Sequence, residues 1–182
     1  MAHEEWQIDS SHSGIHFSVR HMVVAKVRGQ FARWSGTLVA PDGDLGRATV
    51  SVVIDATSID TGVADRDAHL KSADFFDVAR YPEITFTGTR VEPLGHDRLR
   101  VGGELTIRGV TRPVALEVEV AGRTIDPWGH ERAGFAAKTS LERKDFGLTW
   151  NQLLEAGGVV VGDRVDIEID IEAVRQTAAQ AA

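Results

Sequence analysis

The chain of 182 residues contains no cysteine. Disulfide bonds, thiolate nucleophiles and cysteine-ligated zinc or iron–sulfur sites are therefore excluded, and cysteine usage says nothing about the redox compartment. Basic residues are also in the minority, since 20 lysines and arginines stand against 27 aspartates and glutamates and give a net charge of −7. That balance disfavours sequence-independent binding to nucleic acid or to anionic lipid headgroups, so we expect no nucleic-acid partner.

Long apolar runs are absent as well. No segment approaches the ~18 consecutive apolar residues of a membrane-spanning helix, and residues 1–14 lack the basic region and apolar core of a signal peptide. We therefore expect a cytoplasmic protein without a membrane span. With 42% hydrophobic residues and no low-complexity tract, the sequence predicts a single globular domain over residues 1–176 and a frayed tail over residues 177–182.

Most of the sequence alternates between apolar and polar residues. From Val165 to Ala173 every second residue is apolar and those between are acidic, and Val114–Val120 has the same pattern. This periodicity is typical of strands that are wet on one face only. Further strands are predicted at Gly14–His21, Val27–Val39, Arg47–Asp55, Glu83–Arg90, Leu99–Arg108 and Gly129–Leu141. Long consecutive strands with short turns favour a closed all-β barrel over a sandwich, because closure removes exposed edges.

One stretch departs from this pattern. Residues 62–78 mix charged and aromatic side chains, and they predict a short helical segment that begins near Val63. Asp60 or Thr61 could cap the helix, and Pro82 restores extended chain after it. From the residues alone, this segment is equally consistent with a binding site and with a structural cap over one end of the barrel.

Candidate catalytic and metal-binding groups are weak in this sequence. His12 and His16 would lie about 13 Å apart on one strand face, with His21 on the other, so they predict no metal site. The run Asp9–Ser13 supplies the residue types of a hydrolytic triad, but adjacency in sequence is not triad geometry. The chain has no G-x-S-x-G, P-loop or dinucleotide-binding motif. We therefore expect no catalytic residues, no metal and no cofactor.

A series of motifs in fixed order then becomes informative. They are Asp9-Ser-x-His12-Ser13, Gly29-Gln30-Phe31, Ser58-Ile59-Asp60-Thr61-Gly62, Arg66-Asp67-x-His69-Leu70, Asp74-Phe75-Phe76-Asp77, Tyr81-Pro82, Gly103-x-Leu105-Thr106-Ile107-x-Gly109-Val110-Thr111 and Arg143-Lys144-Asp145-Phe146-Gly147. Together they resemble the YceI family of lipocalin-like polyisoprenoid-binding proteins, over nearly the whole chain. The resemblance implies an eight-stranded antiparallel up-and-down barrel that binds an isoprenoid tail or a similar amphiphile without catalysis. It also implies possible pairing of two chains.

The resemblance and the strand pattern together suggest which residues bind the ligand. The expected apolar lining consists of Phe17, Val19, Phe31, Leu70, Phe75, Phe86, Leu105 and Phe146. The expected polar rim, near the ligand headgroup, consists of Arg66, His69, Arg108 and Arg143, with Arg108 standing where the family often has histidine. Gly36, Gly88 and Gly103 are expected to leave room inside the barrel.

The expected function is non-enzymatic binding or carriage of a polyprenyl, quinone or fatty tail, as transport or storage. Two alternatives stay open. One is a hydrolase or isomerase of an apolar substrate that uses His69 and Arg66, which requires His69 to reach both a carboxylate and a cavity. The other is a stress-related interaction module whose barrel is filled by its own side chains.

Overall fold

The computed structural model describes residues 2–155 and 158–180. Its strands are β1 His3–Ile8, β2 Gly14–His21, β3 Ala25–Phe31, β4 Trp34–Pro41, β5 Thr49–Asp55, β6 Ile59–Asp60, β7 Glu83–Gly95, β8 Arg98–Ile107, β9 Val110–Ile125, β10 Glu131–Glu142 and β11 Val161–Arg175. The helix α1 spans Ala64–Lys71, and single 3-10 turns occur at Leu45–Arg47, Ala56–Ser58 and Arg143–Phe146. None of the helices among the described residues has the length and apolarity needed to cross a bilayer.

Eight strands close into an antiparallel barrel. Neighbouring strands follow the order β1, β4, β5, β7, β8, β9, β10 and β11, and the pairing of β1 with β11 completes the ring. Every pair in the ring is antiparallel. The predicted all-β fold, an eight-stranded antiparallel barrel with one short helical segment, is thus confirmed.

The barrel has two different ends because two positions in its wall are each filled by two successive strands. These are β1 followed by β2, and β3 followed by β4. The long strand β11 pairs with β1 over its last residues and with β2 over its first part. In the same way β4 pairs with β1, whereas β3 pairs with β2. At the end formed by β2 and β3, the wall continues through β6, which pairs with Gln30 and Phe31 of β3. This end carries α1, and we call it the mouth end; the opposite end is the distal end.

A cluster of ion pairs holds the distal end together. Arg132 of β10 donates to Asp126 Oδ2 at 2.8 Å, to Asp9 Oδ2 at 3.0 Å and to the carboxylate of Glu172. Partial burial raises the pKa of Asp126, but hydrogen bonds from Arg132 and from two backbone N–H groups of its own turn outweigh this and lower the pKa to about 2. The β1–β2 turn, the β9–β10 hairpin and β11 are thereby joined through one guanidinium group.

Three details of the sequence-based description were wrong. The predicted strand Val27–Val39 is two strands, separated at Ala32 and Arg33. The separation arises because the first part pairs with β2 and the second part pairs with β1. Strand β1 was not predicted, since its sequence HEEWQI is mostly polar. Neither Asp60 nor Thr61 caps α1, because Val63 is the N-cap residue and makes no side-chain cap hydrogen bond.

The start of α1 is stabilised from inside the helix instead. Asp67 accepts hydrogen bonds from the backbone N–H of Thr61 at 2.9 Å and from its hydroxyl at 2.5 Å. A carboxylate within the first turn also interacts favourably with the positive end of the helix dipole. The predicted domain end at residue 176 follows the end of β11, and Thr177 and Gln180 are hydrogen-bonded to each other. Residues 181–182 of the predicted frayed tail lie outside the described residues.

Candidate functional site

A hollow, apolar cavity of about 580 Å³ runs through the barrel. The inward side chains of β2, β3, β5, β7, β8, β10 and β11 all contribute to its walls. Its volume lies within the roughly 300–1,000 Å³ typical of small-molecule sites. All eight apolar residues expected from the sequence line it: Phe17, Val19, Phe31, Leu70, Phe75, Phe86, Leu105 and Phe146. The hollow interior argues against the filled-barrel alternative.

Among the described residues, charge in the cavity wall is confined to the mouth end. The charged and imidazole side chains of the lining are Arg20, His21, Asp65, Arg66, His69 and Arg143, and they lie on the end of β2, on α1 and on the 3-10 turn after β10. Arg20 and Asp65 are exposed to solvent, whereas the deeper wall is almost wholly apolar. The cavity therefore presents a polar entrance and a hydrocarbon-like interior, which is the arrangement that an amphiphile requires.

The helical segment places its aromatic side over the barrel. Phe75 is 5% exposed and belongs to the main core cluster, against which Leu70 and Phe76 also pack. Phe76 contacts Phe31 edge-on, with ring centroids 6.1 Å apart. The segment is therefore a structural cap, and its inner face is at the same time part of the cavity wall.

Two of the predicted rim residues stand at the entrance. The Arg66 guanidinium donates to the hydroxyl of Thr61 at 2.7 Å and to its carbonyl at 2.8 Å, which positions a cation beside the cavity. His69 Nε2 is 2.8 Å from Asp74 Oδ2. The imidazole ring also packs edge-on against Phe75 and Trp150, at centroid distances of 5.1 and 4.6 Å.

Arg143 lines the cavity but its donors are already used. It is 4% exposed, and it donates to the carbonyls of Leu148, Trp150 and Gly162 at 2.6, 2.9 and 2.8 Å. Burial lowers the pKa of this guanidinium, and the Asp163 carboxylate at 3.5 Å offsets only part of that decrease. The geometry assigns Arg143 to holding the segment that follows the 3-10 turn, which differs from the headgroup contact expected for it.

Arg108 also differs from its expected place, because it does not belong to the cavity lining. Its Nη1 donates to the carbonyls of Phe75 and Gly147 at 3.1 and 3.2 Å. The residue adopts a positive φ of 50° in the tight turn between β8 and β9. Arg108 therefore ties the helical cap to the 3-10 turn from outside the cavity.

Sequence reasoning missed several residues of the entrance. Trp150 and Val160 belong to an irregular segment without periodicity, so no pattern indicated that they would line the cavity. His21 and Arg20 end a predicted strand, where inward and outward positions are hardest to assign. Asp65 falls on the helical motif, and its place one turn before His69 was the available signal.

The three glycines expected to leave room do not line the cavity. A Cβ at Gly36 would lie 2.5 Å from Ile8 Cδ1, and one at Gly88 would lie 2.9 Å from Val101 Cγ1. A Cβ at Gly103 would lie within 2.2 Å of the Thr87 carbonyl oxygen. These positions permit close approach of neighbouring strands and side chains, so that expectation was wrong.

A second polar cluster lies away from the cavity, at the distal end. Asp9, His12 and Glu172 are the only group among residues 2–155 and 158–180 with metal-ligand spacing. Arg132 already donates to both of these carboxylates, and a guanidinium there opposes a cation. Hydrogen bonds from Ser11 and His12, with that of Arg132, lower the pKa of Asp9. Ser11 and Asp9 both contact Nδ1 of His12, so the cluster lacks triad geometry, in which base and orienting group use different ring nitrogens.

Comparison with known proteins agrees with this architecture. The YceI-like domain model matches residues 6–173. A UPF0312 protein of Vibrio campbellii is 39% identical over 168 residues, which cover 91% of this chain and 84% of that protein. The Burkholderia cenocepacia BcnA structure has a TM-score of 0.79 at 22% identity and covers 91% of this chain and 98% of its own. A Saccharophagus degradans structure described as a polyisoprenoid-binding domain has a TM-score of 0.70 at 16% identity, covering 94% and 98%. The barrel, its ordered motifs and the match along residues 6–173 establish that this chain belongs to the YceI-like domain family.

Proposed function

We propose that this protein is a non-enzymatic carrier that holds the tail of an isoprenoid or similar lipid in its barrel. The observation that carries the proposal is the apolar cavity of about 580 Å³, whose charged lining residues, within the part of the chain that the structure describes, all lie at its mouth. The description of the S. degradans relative as a polyisoprenoid-binding domain supports the same ligand class. Polyprenyl, quinone and fatty tails all meet the chemical requirement of the cavity wall.

The hydrophobic effect supplies enough affinity for such a tail. At ~0.8 kcal/mol per buried carbon, one five-carbon unit contributes about 4 kcal/mol before ordering costs. Two or three buried units therefore suffice for roughly micromolar binding. Discrimination between tails is weaker, because a single methyl group in an apolar pocket is worth only about 1–3 kcal/mol. The headgroup then adds selectivity through Arg66 and His69 at the entrance.

Two neighbouring alanines of β10 provide a matched test of binding inside the barrel. Ala137 lines the cavity, whereas Ala136 is exposed on the outer face. Ala137→Phe should block loading, because the added ring occupies space that the tail needs, and Ala136→Phe should load like wild type. The purified proteins are extracted and analysed by lipid mass spectrometry, and are then loaded with a polyprenol or a ubiquinone from cyclodextrin. An empty wild-type barrel that also fails to load would overturn the proposal.

A second candidate function deserves a test because of one observation. His69 lines the cavity and its Nε2 lies 2.8 Å from the Asp74 carboxylate, so it meets the geometric requirement stated for a hydrolase or isomerase of an apolar substrate. Turnover of prenyl and fatty esters by wild type, lost in His69→Gln with tail binding retained, would establish catalysis. Unchanged esters after incubation with wild type would leave the carrier function.

The cytoplasmic location and the pairing of two chains stay predictions. Cell fractionation with an antibody against the protein checks the location. Light scattering on the purified chain at several concentrations checks the pairing. Neither property is required for a tail to enter the cavity, so the loading experiment is independent of both.

A further inference from the structure

The turn between β2 and β3 carries exposed aliphatic side chains at the mouth end. Met22, Val23 and Val24 are 44%, 68% and 85% exposed. Met22 and Val23 also have positive φ values of 51° and 67°. Such a backbone is unfavourable for a β-branched residue, and unfavourable conformations of this kind concentrate at functional sites. Both the exposure and the backbone conformation therefore require an explanation.

A second turn extends the same surface. The backbone N–H of Met22 donates to the Val160 carbonyl at 2.9 Å. Leu153, which forms an isolated bridge with Val159, is 81% exposed. A Cβ at Gly158 would lie 3.7 Å from Val23 Cγ2, so the two turns are in contact. We call Met22, Val23, Val24 and Leu153 the mouth tip.

The mouth tip adjoins the cavity entrance. Arg20 and His21 precede it directly and Val160 follows the second turn, and all three line the cavity. Exposed basic residues flank it on the two strands, where Arg20 and Lys26 are cross-strand partners and Arg28 lies two pairs further on. Although the chain has a net charge of −7, the charge on these strand positions is positive and can meet lipid phosphate groups.

We propose that the mouth tip inserts into the surface of a phospholipid bilayer and places the cavity entrance against it. This inference rests on the proposed carriage of a lipid tail. A tail that crosses water to enter the barrel exposes its whole apolar surface to the solvent, which is unfavourable. Insertion of the tip by a few ångströms removes that barrier, and exposed aliphatic groups beside basic ones are the features of interfacial binding. The interaction is a transient docking, since four aliphatic side chains are a small anchor.

A second copy of the chain fits this surface less well. A stable protein interface buries about 800 Å² on each partner. Four aliphatic side chains on two narrow turns supply only a fraction of that area. The bilayer, in contrast, needs no complementary pocket and accepts a small protruding tip.

The absence of cysteine permits a site-specific test. Val24→Cys and Trp128→Cys are each labelled with an environment-sensitive fluorophore on a single thiol. Trp128 is 78% exposed on the β9–β10 hairpin at the distal end and is therefore a matched exposed apolar control. With vesicles of phosphatidylcholine and phosphatidylglycerol, we expect a blue shift at position 24 and none at position 128. A shift at position 128 alone would overturn the proposal.

Charged substitutions then measure the strength of the interaction. Val24→Asp and Leu153→Asp should each weaken vesicle flotation roughly tenfold, because each removes an exposed aliphatic group that docking buries in the bilayer. Trp128→Asp should float like wild type. Flotation that persists in the Val24→Asp, Leu153→Asp double variant would contradict the inference, as would wild-type protein that stays in solution. A tip-dependent dimer that does not float would also overturn it.

Loading from cyclodextrin separates this inference from the proposed function. The Asp variants should still take up a polyprenol from cyclodextrin, because the cavity wall is unchanged, and should lose uptake from vesicles. A wild-type protein that binds vesicles through the tip but loads nothing would refute the carrier function and leave the docking intact. A protein that loads from both sources, with no fluorescence shift at the labelled position 24, would refute the docking and leave the carrier function intact.

Discussion

Replacing Arg143 should destabilise the protein strongly, although its ion pair with Asp163 is as long as 3.5 Å. Its side chain is 4% exposed and spans from the 3-10 turn after β10 to the start of β11. Arg143→Met keeps most of the aliphatic volume and removes the guanidinium. The change therefore tests the hydrogen bonds rather than the packing.

The magnitude follows from the acceptors that lose their donor. The carbonyls of Leu148, Trp150 and Gly162 each receive a hydrogen bond from Arg143 at 2.6–2.9 Å. The Val161 carbonyl, at 3.4 Å, also accepts from Asn151 Nδ2 at 2.8 Å and stays paired. A buried acceptor left without a donor costs about 1–3 kcal/mol, and the relieved desolvation of the guanidinium offsets part of the sum. We expect a loss of about 3–5 kcal/mol.

Urea unfolding of the wild type and variants measures this free energy directly. The control is Arg112→Met, because Arg112 is exposed and donates one hydrogen bond, to the Asp145 carbonyl at 3.1 Å. That control should lose no more than about 1 kcal/mol. Arg143→Lys should fall between the two, since an ammonium cannot reproduce the planar fork. Equal stabilities of Arg143→Met and Arg112→Met would refute the reasoning.

Three further predictions concern other parts of the barrel. The pKa of Asp126 is about 2 and that of Asp9 is also lowered, so the stabilising contribution of both carboxylates is complete above pH ~4. The contribution of Asp126 is lost as the pH falls through about 2, and Asp126→Asn should flatten that part of the slope in urea titrations. Gly103→Ala should cost about 1–3 kcal/mol because its Cβ would meet backbone at 2.2 Å, whereas Gly102→Ala, with 3.4 Å to its nearest neighbour, should be nearly neutral in thermal unfolding. Arg66→Gln should weaken loading of a prenyl phosphate more than of the matching prenol; equal losses for both would remove Arg66 from headgroup recognition.

The barrel could be predicted because its strands carry a local signal. In β11, successive residues point alternately into the cavity and toward solvent. The alternation of apolar and acidic residues in the sequence therefore indicates which face of the strand is buried. The same alternation indicated Phe17, Val19 and Phe86 as inward residues, and all three line the cavity. A period of two is a property of single strands and needs no knowledge of their partners.

The broken walls could not be predicted, because they depend on partners far away in sequence. Ala32 and Arg33 separate β3 from β4 because β3 pairs with β2, whereas β4 pairs with β1. Strand β1 has two glutamates and a histidine among six residues, so its strand character comes from pairing with β4 and β11. Tertiary pairing overrides local propensity in such segments.

The roles of the arginines also escaped sequence reasoning. Arg66, Arg108 and Arg143 looked alike as cations near a mouth. In the structure, Arg108 and Arg143 each donate to several backbone carbonyls and hold loops together. Arg66 lines the cavity and donates to one residue, Thr61. Hydrogen-bond partners of a long side chain depend on the exact path of neighbouring loops. No motif spacing contains that information.

The division of the barrel into two unlike ends has a consequence for how such a protein can change. At the distal end, Arg132 binds three carboxylates, and the paired residues Ile8 and Ala173 line the cavity there. The mouth end is completed by α1 and by two turns, none of which belongs to the closed ring of strands. In the proposed carrier, substitutions in these short segments should therefore alter headgroup preference, while the distal part of the cavity that receives the tail stays unchanged. One scaffold can thus serve chemically different heads on tails of similar length.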